Sequence, residues 1–413
     1  MAIRGLSLPP GRRLVHHRLL CRAFSTHPRH IAVPCASDDP ITISLYHERQ
    51  HPRWTPLLLY LPPSGAVDSA PLPDFLRRQK LCPVASVPYR WAWPPDRTYE
   101  TLQTEYDDTL NKLSDMRPSR LWPAPLHDVL FGYDWLRKNL RRPILVYGEH
   151  LGAGLAASLA LTESFSYKRT SVRGLAAYNG IYDWSVFIDR WSRVQTYNRQ
   201  KNIKMNAATL SSIDPAPFAL PLLDELFVRP PDLLDPFASP DLFFLSIGPV
   251  LLPDAFHPQD VPNVRPVVPF ESVKSHRIHL DYPHRDTLLD IPAALLLHDA
   301  ADETDFDPDI PTNKSYASQA AELGELMRRG IRRIAWEENL DLNDGPSTEE
   351  VEAAARAAEL HVRVLGVDPS DDGLDRRGQD ALLAWIEEQI LHCAKQRAEA
   401  IGQTDDAEGY SLG

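Results

Sequence analysis

Residues 144–164, ILVYGEHLGAGLAASLALTES, constrain this chain more than any other stretch. Ile144 to Tyr147 is an apolar run of the kind that fills a strand buried on both faces. The small residues after position 151 make a helix that is apolar on every side and must itself be buried. Gly148 and Gly152 bracket the joint, where the absence of a Cβ lets backbone pass close to backbone. A buried strand turning directly into a buried helix is the building block of sheets covered on both faces.

The rest of the chain repeats that alternation. ITISLYHE (41–48), PLLLYLPP (56–63) and PVASVPYRW (83–91) have strand patterns. PLHDVLFGYDWLRKNL (125–140) has helical spacing, with Leu126, Leu130, Tyr133 and Leu136 near one face. A strand at 143–148, a helix from about 151 to 163 and a strand at 172–180 follow. AALLLHDA (293–300) and IRRIAWEE (331–338) read as two more strands, separated by the helical YASQAAELGELMRRG. An alternative places the last strand at LHVRVLGV (360–367). QDALLAWIEEQILHCAKQRAEA predicts a closing helix. The implied class is α/β, with a mainly parallel central sheet and helices on both faces. Residues 185–290 break the rhythm with many prolines and read as an irregular cap inserted in a domain spanning 38–400. A separate second domain is the alternative. Residues 401–413 read as a disordered tail.

Charge divides the chain. The first 37 residues carry six arginines, no lysine and no acid. That composition is expected of a mitochondrial targeting peptide directing the body to the matrix, with CRAFSTH supplying a processing site near Phe24-Ser25. A disordered basic tail on a cytoplasmic protein is the alternative. Without those arginines the body has 38 basic against 56 acidic side chains. This argues against nucleic acid or an anionic membrane as partner. No apolar run is long enough for a transmembrane segment. Cys21, Cys35, Cys82 and Cys393 have no framework or metal spacing. The histidines of KSHRIHLDYPHRD (His276, His279, His284) fit no metal motif, so no metal and no cofactor are expected.

Several segments together resemble the α/β-hydrolase superfamily, in its hormone-sensitive-lipase and arylesterase-like (fold-3) branch. VPYRWAWPP is similar to that branch's strand ending in Tyr-Arg. PLHDVLFGYDWL is similar to the next helix, with Asp128 and Trp135 in familiar places. YGEHLGAGLAASLAL is similar to its nucleophile elbow, with Glu149 at the usual acidic position. LLDPFASPDL is similar to the stretch before the acid strand. The resemblance implies an α/β-hydrolase fold and, by family, a carboxylic-ester hydrolase.

The elbow departs from the family at its central residue. In Gly-x-Ser-x-Gly the serine sits at a strained strand-to-helix turn that lifts its hydroxyl above the sheet. Here Gly148, Glu149, Leu151 and Gly152 surround His150. Imidazole can attack an ester, but it also fills the volume that a substrate carbonyl would need. Ser158 stands eight residues along the helix, roughly 12 Å away. The one literal Gly-x-Ser-x-Gly, GYSLG at 409–413 around Ser411, has no strand before it and no helix after it.

The other parts of the machinery are equally altered. The oxyanion loop corresponds to LPPSG (61–65), where Pro62 and Pro63 have no N–H to offer and Ser64 and Gly65 remain as donors. By resemblance the triad acid is Asp302, with Asp299 the runner-up and a solvated acidic loop the plain alternative. Only His361 and His392 follow Asp302, both in helical-looking stretches. Ser64 approaching His150 would make an inverted serine–histidine pair. Trp184, Phe187 and Trp191 suit either a pocket lining or core packing. Three functions are therefore open. The first is a pseudo-hydrolase binding a small apolar ligand or a protein partner. The second is an ester hydrolase built on His150, Ser64 and Asp302. The third is a structural partner in a mitochondrial assembly.

Overall fold

The computed structural model describes residues 28–35, 40–63, 72–91, 121–187, 223, 226–227, 230–246, 278–300, 315–339, 347–370 and 373–408. Ser64, Gly65, Trp191, His276, Asp302 and Ser411 lie outside them, as do the first 27 residues and much of the proline-rich insertion.

Eight strands form the central sheet: β1 (Arg29–Val33), β2 (Ile41–Tyr46), β3 (Leu57–Leu61), β4 (Val84–Ser86), β5 (Ile144–Glu149), β6 (Val172–Tyr178), β7 (Ala293–Asp299) and β8 (Val362–Val367). Their spatial order is β1-β2-β4-β3-β5-β6-β7-β8. β2 is antiparallel to both β1 and β4; every other pairing is parallel. β3 and β5 are buried at every residue, as their apolar runs require, with Glu149 at the end of β5 the one buried charge-bearing group among them.

Helices cover both faces. α1 (Asp74–Arg78) and α6 (Arg376–Glu408) pack on one, through Leu76, Leu382, Trp385 and Ile386. α2 (Ala124–Leu140), α3 (Leu151–Glu163) and α4 (Tyr316–Asn339) pack on the other, through Leu126, Val129, Leu155, Leu159, Leu323 and Met327. α5 (Thr348–His361) leads into β8 and starts with a capping box, Ser347 accepting from the Glu350 N–H. α3 is buried from Leu151 through Leu161, the helix apolar on all sides that its sequence predicts.

Three sequence expectations change. IRRIAWEE is helical, the last part of α4, and the final strand is the alternative at 362–367. Ile331, Ile334 and Ala335 have helical spacing, and Gly330 does not end the helix. A Cβ at Gly330 would lie 2.4 Å from Ile291 Cδ1, so that glycine serves close packing within the helix. Residues 29–33, inside the expected leader, form β1 against β2, and Arg29 pairs with Glu48. The boundary at residue 37 therefore cuts through the sheet, whereas processing near residue 25 would spare it. Last, α6 continues to Glu408, into the stretch expected to be a disordered tail.

In the insertion, the described parts are irregular: short 3-10 turns at Pro230–Leu234 and Pro240–Phe243, and a two-residue ribbon pairing Leu245–Ser246 with Ile278–His279.

Candidate functional site

β5 ends in a sharp bend. His150 has φ 48° and ψ −112°, a conformation strained for any residue with a Cβ, and α3 begins immediately after it. The bend works because its neighbours have no side chain. A Cβ on Gly148 would lie 2.3 Å from the Gly152 carbonyl oxygen, and one on Gly152 would lie 2.5 Å from that of Pro62. The His150 N–H donates to the Tyr178 carbonyl at 2.8 Å, tying the bend to the end of β6.

The strand order, with its single antiparallel entry, and this bend after β5 decide the architecture. The fold is that of the α/β-hydrolases.

No family model matches this sequence, and no curated protein matches it. Among solved structures, the chain is similar to EstE1, a thermostable carboxylesterase cloned from a metagenomic library, at 14% identity over 89% of this chain and 88% of that one, with a TM-score of 0.40. It is also similar to a Pyrobaculum calidifontis esterase (15% identity, 90% and 86% covered, TM-score 0.40) and a Rhizomucor miehei esterase (12%, 90% and 84%, TM-score 0.43). At such values the architecture rests on strand order and the bend alone.

In a working elbow, the N–H of the residue after the nucleophile is one of the oxyanion donors. Here that group is the Leu151 N–H, and it donates to the Pro63 carbonyl at 3.3 Å. The donor is thus engaged by the backbone just after β3, the segment expected from the sequence to be the oxyanion loop. Tyr89 holds that segment from below, its hydroxyl donating to the Pro62 carbonyl at 2.6 Å. Arg90, next in the chain, is locked by Asp128 of α2: its N–H and Nε donate to Oδ2 at 3.0 and 2.8 Å, and a second amino group reaches Oδ1. The Tyr-Arg pair and Asp128 singled out in the sequence thus build the wall behind the loop.

The His150 ring is partly exposed and has no hydrogen-bond partner among the described residues. Its neighbours are aromatic: Tyr178 and Tyr316 meet it edge-on, each with centroids 5.7 Å away. Desolvation by this packing pulls its pKa down to about 4, so the imidazole is neutral near pH 7.

Beneath the bend, two carboxylates are held by tyrosines. Glu149 accepts from the Tyr147 hydroxyl at 2.7 Å and from the Tyr60 hydroxyl at 3.3 Å, and the two phenol rings stack at 5.7 Å. Burial raises its pKa to about 7, against the lowering effect of those hydrogen bonds. Asp299, at the end of β7, accepts from the Tyr178 hydroxyl at 2.6 Å and from Asn179 Nδ2 at 2.9 Å. Its pKa is raised by burial, with both hydrogen bonds opposing. Tyr178 therefore touches His150 with its ring and Asp299 with its hydroxyl. Sequence reasoning singled out Asp299 and missed Tyr178 and Asn179. The signal was the Tyr-Asn-Gly ending of β6, readable only once β6 is known to lie beside β7.

The remaining candidates separate. In the loop after β8, where the triad histidine is expected, the Gly373 carbonyl lies 3.5 Å from the Tyr178 hydroxyl and Leu374 is buried. His361 bonds the Ile291 carbonyl, and His392 bonds Gln396, both far along the chain from the elbow. The Ser158 hydroxyl donates to the Phe237 carbonyl and is consumed in packing. Trp184 and Phe187 are fully buried, and Trp184 packs against Trp91 and Phe227. Among the described residues these two are part of the core. His279 is exposed in the ribbon and His284 pairs with Asp286. Among the described residues no cluster of His, Cys, Asp or Glu suits a metal ion, and no helix is long and apolar enough to cross a membrane.

Proposed function

We propose that this chain is an α/β-hydrolase-fold protein of the fold-3 type that binds a small apolar ligand above the elbow and does not carry out serine esterolysis. One observation supports this most. The Leu151 N–H, which would stabilise a tetrahedral oxyanion, is bonded to Pro63, while a neutral imidazole occupies the nucleophile position. An oxyanion donor is worth a factor of about 100 to 1,000 in rate, and this one is engaged. The aromatic edges of Tyr178 and Tyr316 around His150 favour an apolar or ester-like ligand over a charged one. Residues 185–290 would cap the site.

A second reading is favoured by the same imidazole. A ring that stays unprotonated at neutral pH is competent as nucleophile or base. In that reading His150 acts with Ser64 and Asp302 on a carboxylic ester. Incubating the protein with short-chain aryl esters and a fluorophosphonate probe separates the two. Turnover that disappears in His150→Ala supports the second reading. Absence of both turnover and labelling supports the first, and retained saturation by an unreactive ester analogue completes it.

The arginine-rich, acid-free start supports import into mitochondria. Fusing residues 1–28 to a fluorescent reporter tests this, and cytosolic fluorescence would refute it.

A further inference from the structure

At the other end of the sheet, where β6 and β7 begin, lies a cleft of about 350 Å³. Its floor is apolar, made by Ile291, Pro292, Ile331 and Ile334. Its polar side chains are Ser164, Ser166 and Asp290 in loops, Arg173 on β6, His361 closing α5, and His392 and Gln396 on α6. The volume lies in the range of small-molecule sites, and an apolar floor with a few convergent polar groups is their usual make-up.

The guanidinium of Arg173 is pre-positioned. Its Nη2 donates to the carbonyls of Ser166 at 3.1 Å and Lys168 at 2.9 Å, which fixes the plane of the group while its remaining N–H donors are not used by those bonds. His361 and His392 are held through Nε2, by the Ile291 carbonyl and by Gln396, leaving each Nδ1 uncommitted in those contacts. Asp290 is the one acid on the lining and is exposed, whereas Arg173 is half-buried and held in place, so the cation is the less water-screened of the two fixed charges and the one an incoming monoanion would pair with.

We propose that this cleft is a second binding site, separate from the elbow, for a small amphipathic carboxylic acid. The carboxylate pairs with Arg173, and the apolar body lies on Ile291, Ile331 and Ile334. The proposal is independent of whether the elbow binds or hydrolyses anything.

The test titrates the full-length protein with 4-phenylbutyrate, and in parallel with 4-phenylbutanol, which has the same body and no charge. Calorimetry and tryptophan fluorescence read the binding. The acid should saturate and bind about tenfold more tightly than the alcohol, as one charge-assisted contact implies. Arg173→Gln should bring the acid to the level of the alcohol. Ile334→Asp should abolish binding of both, and because Ile334 is only partly buried the fold should survive, which circular dichroism checks. Absence of saturable binding, equal affinity for acid and alcohol, or insensitivity to both Arg173→Gln and Ile334→Asp would each overturn the proposal.

Discussion

The backbone N–H of Leu151 points at the carbonyl of Pro63 and is bonded to it, although the bend that carries Leu151 keeps the geometry of a working elbow. The strand-to-helix turn carries an imidazole at its apex, and the N–H that follows it is engaged within the chain.

Restoring the serine should therefore not restore an esterase. His150→Ser is expected to hydrolyse short-chain aryl esters no faster than about tenfold over the parent. Without a partnered imidazole, a serine loses most of its rate, on the order of a millionfold. Turnover in the range of ordinary serine esterases would show that a base reaches position 150 after all.

Two desolvated groups at the bend, buried Glu149 and part-buried His150, should drive stability in opposite directions with pH. The folded-state pKa of Glu149, about 7, lies above its ordinary 4.5, so its contribution is present below pH 4.5 and lost as the pH rises through about 7. For His150 the folded value, about 4, lies below the ordinary 6.5, so its contribution is present above pH 6.5 and lost as the pH falls through about 4. Between pH 4.5 and 6.5 the two oppose each other. Glu149→Gln should leave urea midpoints that rise with pH across that window, and His150→Asn should leave midpoints that fall. Each variant should expose a swing on the order of 2–3 kcal/mol. Identical pH profiles in the parent and both variants would contradict this burial.

Glycines should differ sharply in what they tolerate. Gly148→Ala drives a Cβ to 2.3 Å from backbone that cannot yield, and should cost about 3 kcal/mol or more. Gly366→Ala on β8 meets nothing closer than 3.3 Å and should stay within about 1 kcal/mol of the parent. Denaturant titration of the two variants compares them directly.

Asp128→Ala should be among the most damaging single changes away from the bend. It leaves the Arg90 guanidinium, 6% exposed, without the carboxylate that two of its donors and the Arg90 backbone N–H address. Breaking one side of a buried pair costs about 3–5 kcal/mol. Replacing both partners, Arg90→Met with Asp128→Leu, should recover a large part of that loss in urea unfolding. Equal destabilisation by the single and double variants would show that the cost lies in packing and not in the stranded charge.

The parts of this fold that could be read in the sequence were those encoded locally. The β5–bend–α3 unit was legible because its apolar run, paired glycines and helix occupy one short stretch, and the helix bounds at 151 and 163 follow directly. The strand expected at IRRIAWEE is helix, and why a glycine precedes it is revealed only by the position of Ile291, a contact that nothing local announces. Nothing local signals that Tyr178 bonds Asp299, since the contact exists only because β6 and β7 are neighbours, with Tyr178 beside Leu297. The Leu151–Pro63 bond was equally hidden. Prolines 62 and 63 announce lost donors, while the direction of a carbonyl depends on how the loop is seated by Tyr89.

The strained torsion at His150 is also what lets α3 double back over the sheet with its first turn flush against the ends of β3 and β6. A straighter exit would swing thirteen mostly apolar residues out into water. Whatever side chain occupies that corner, the backbone must hold it there, displayed at a fixed height and angle above the sheet.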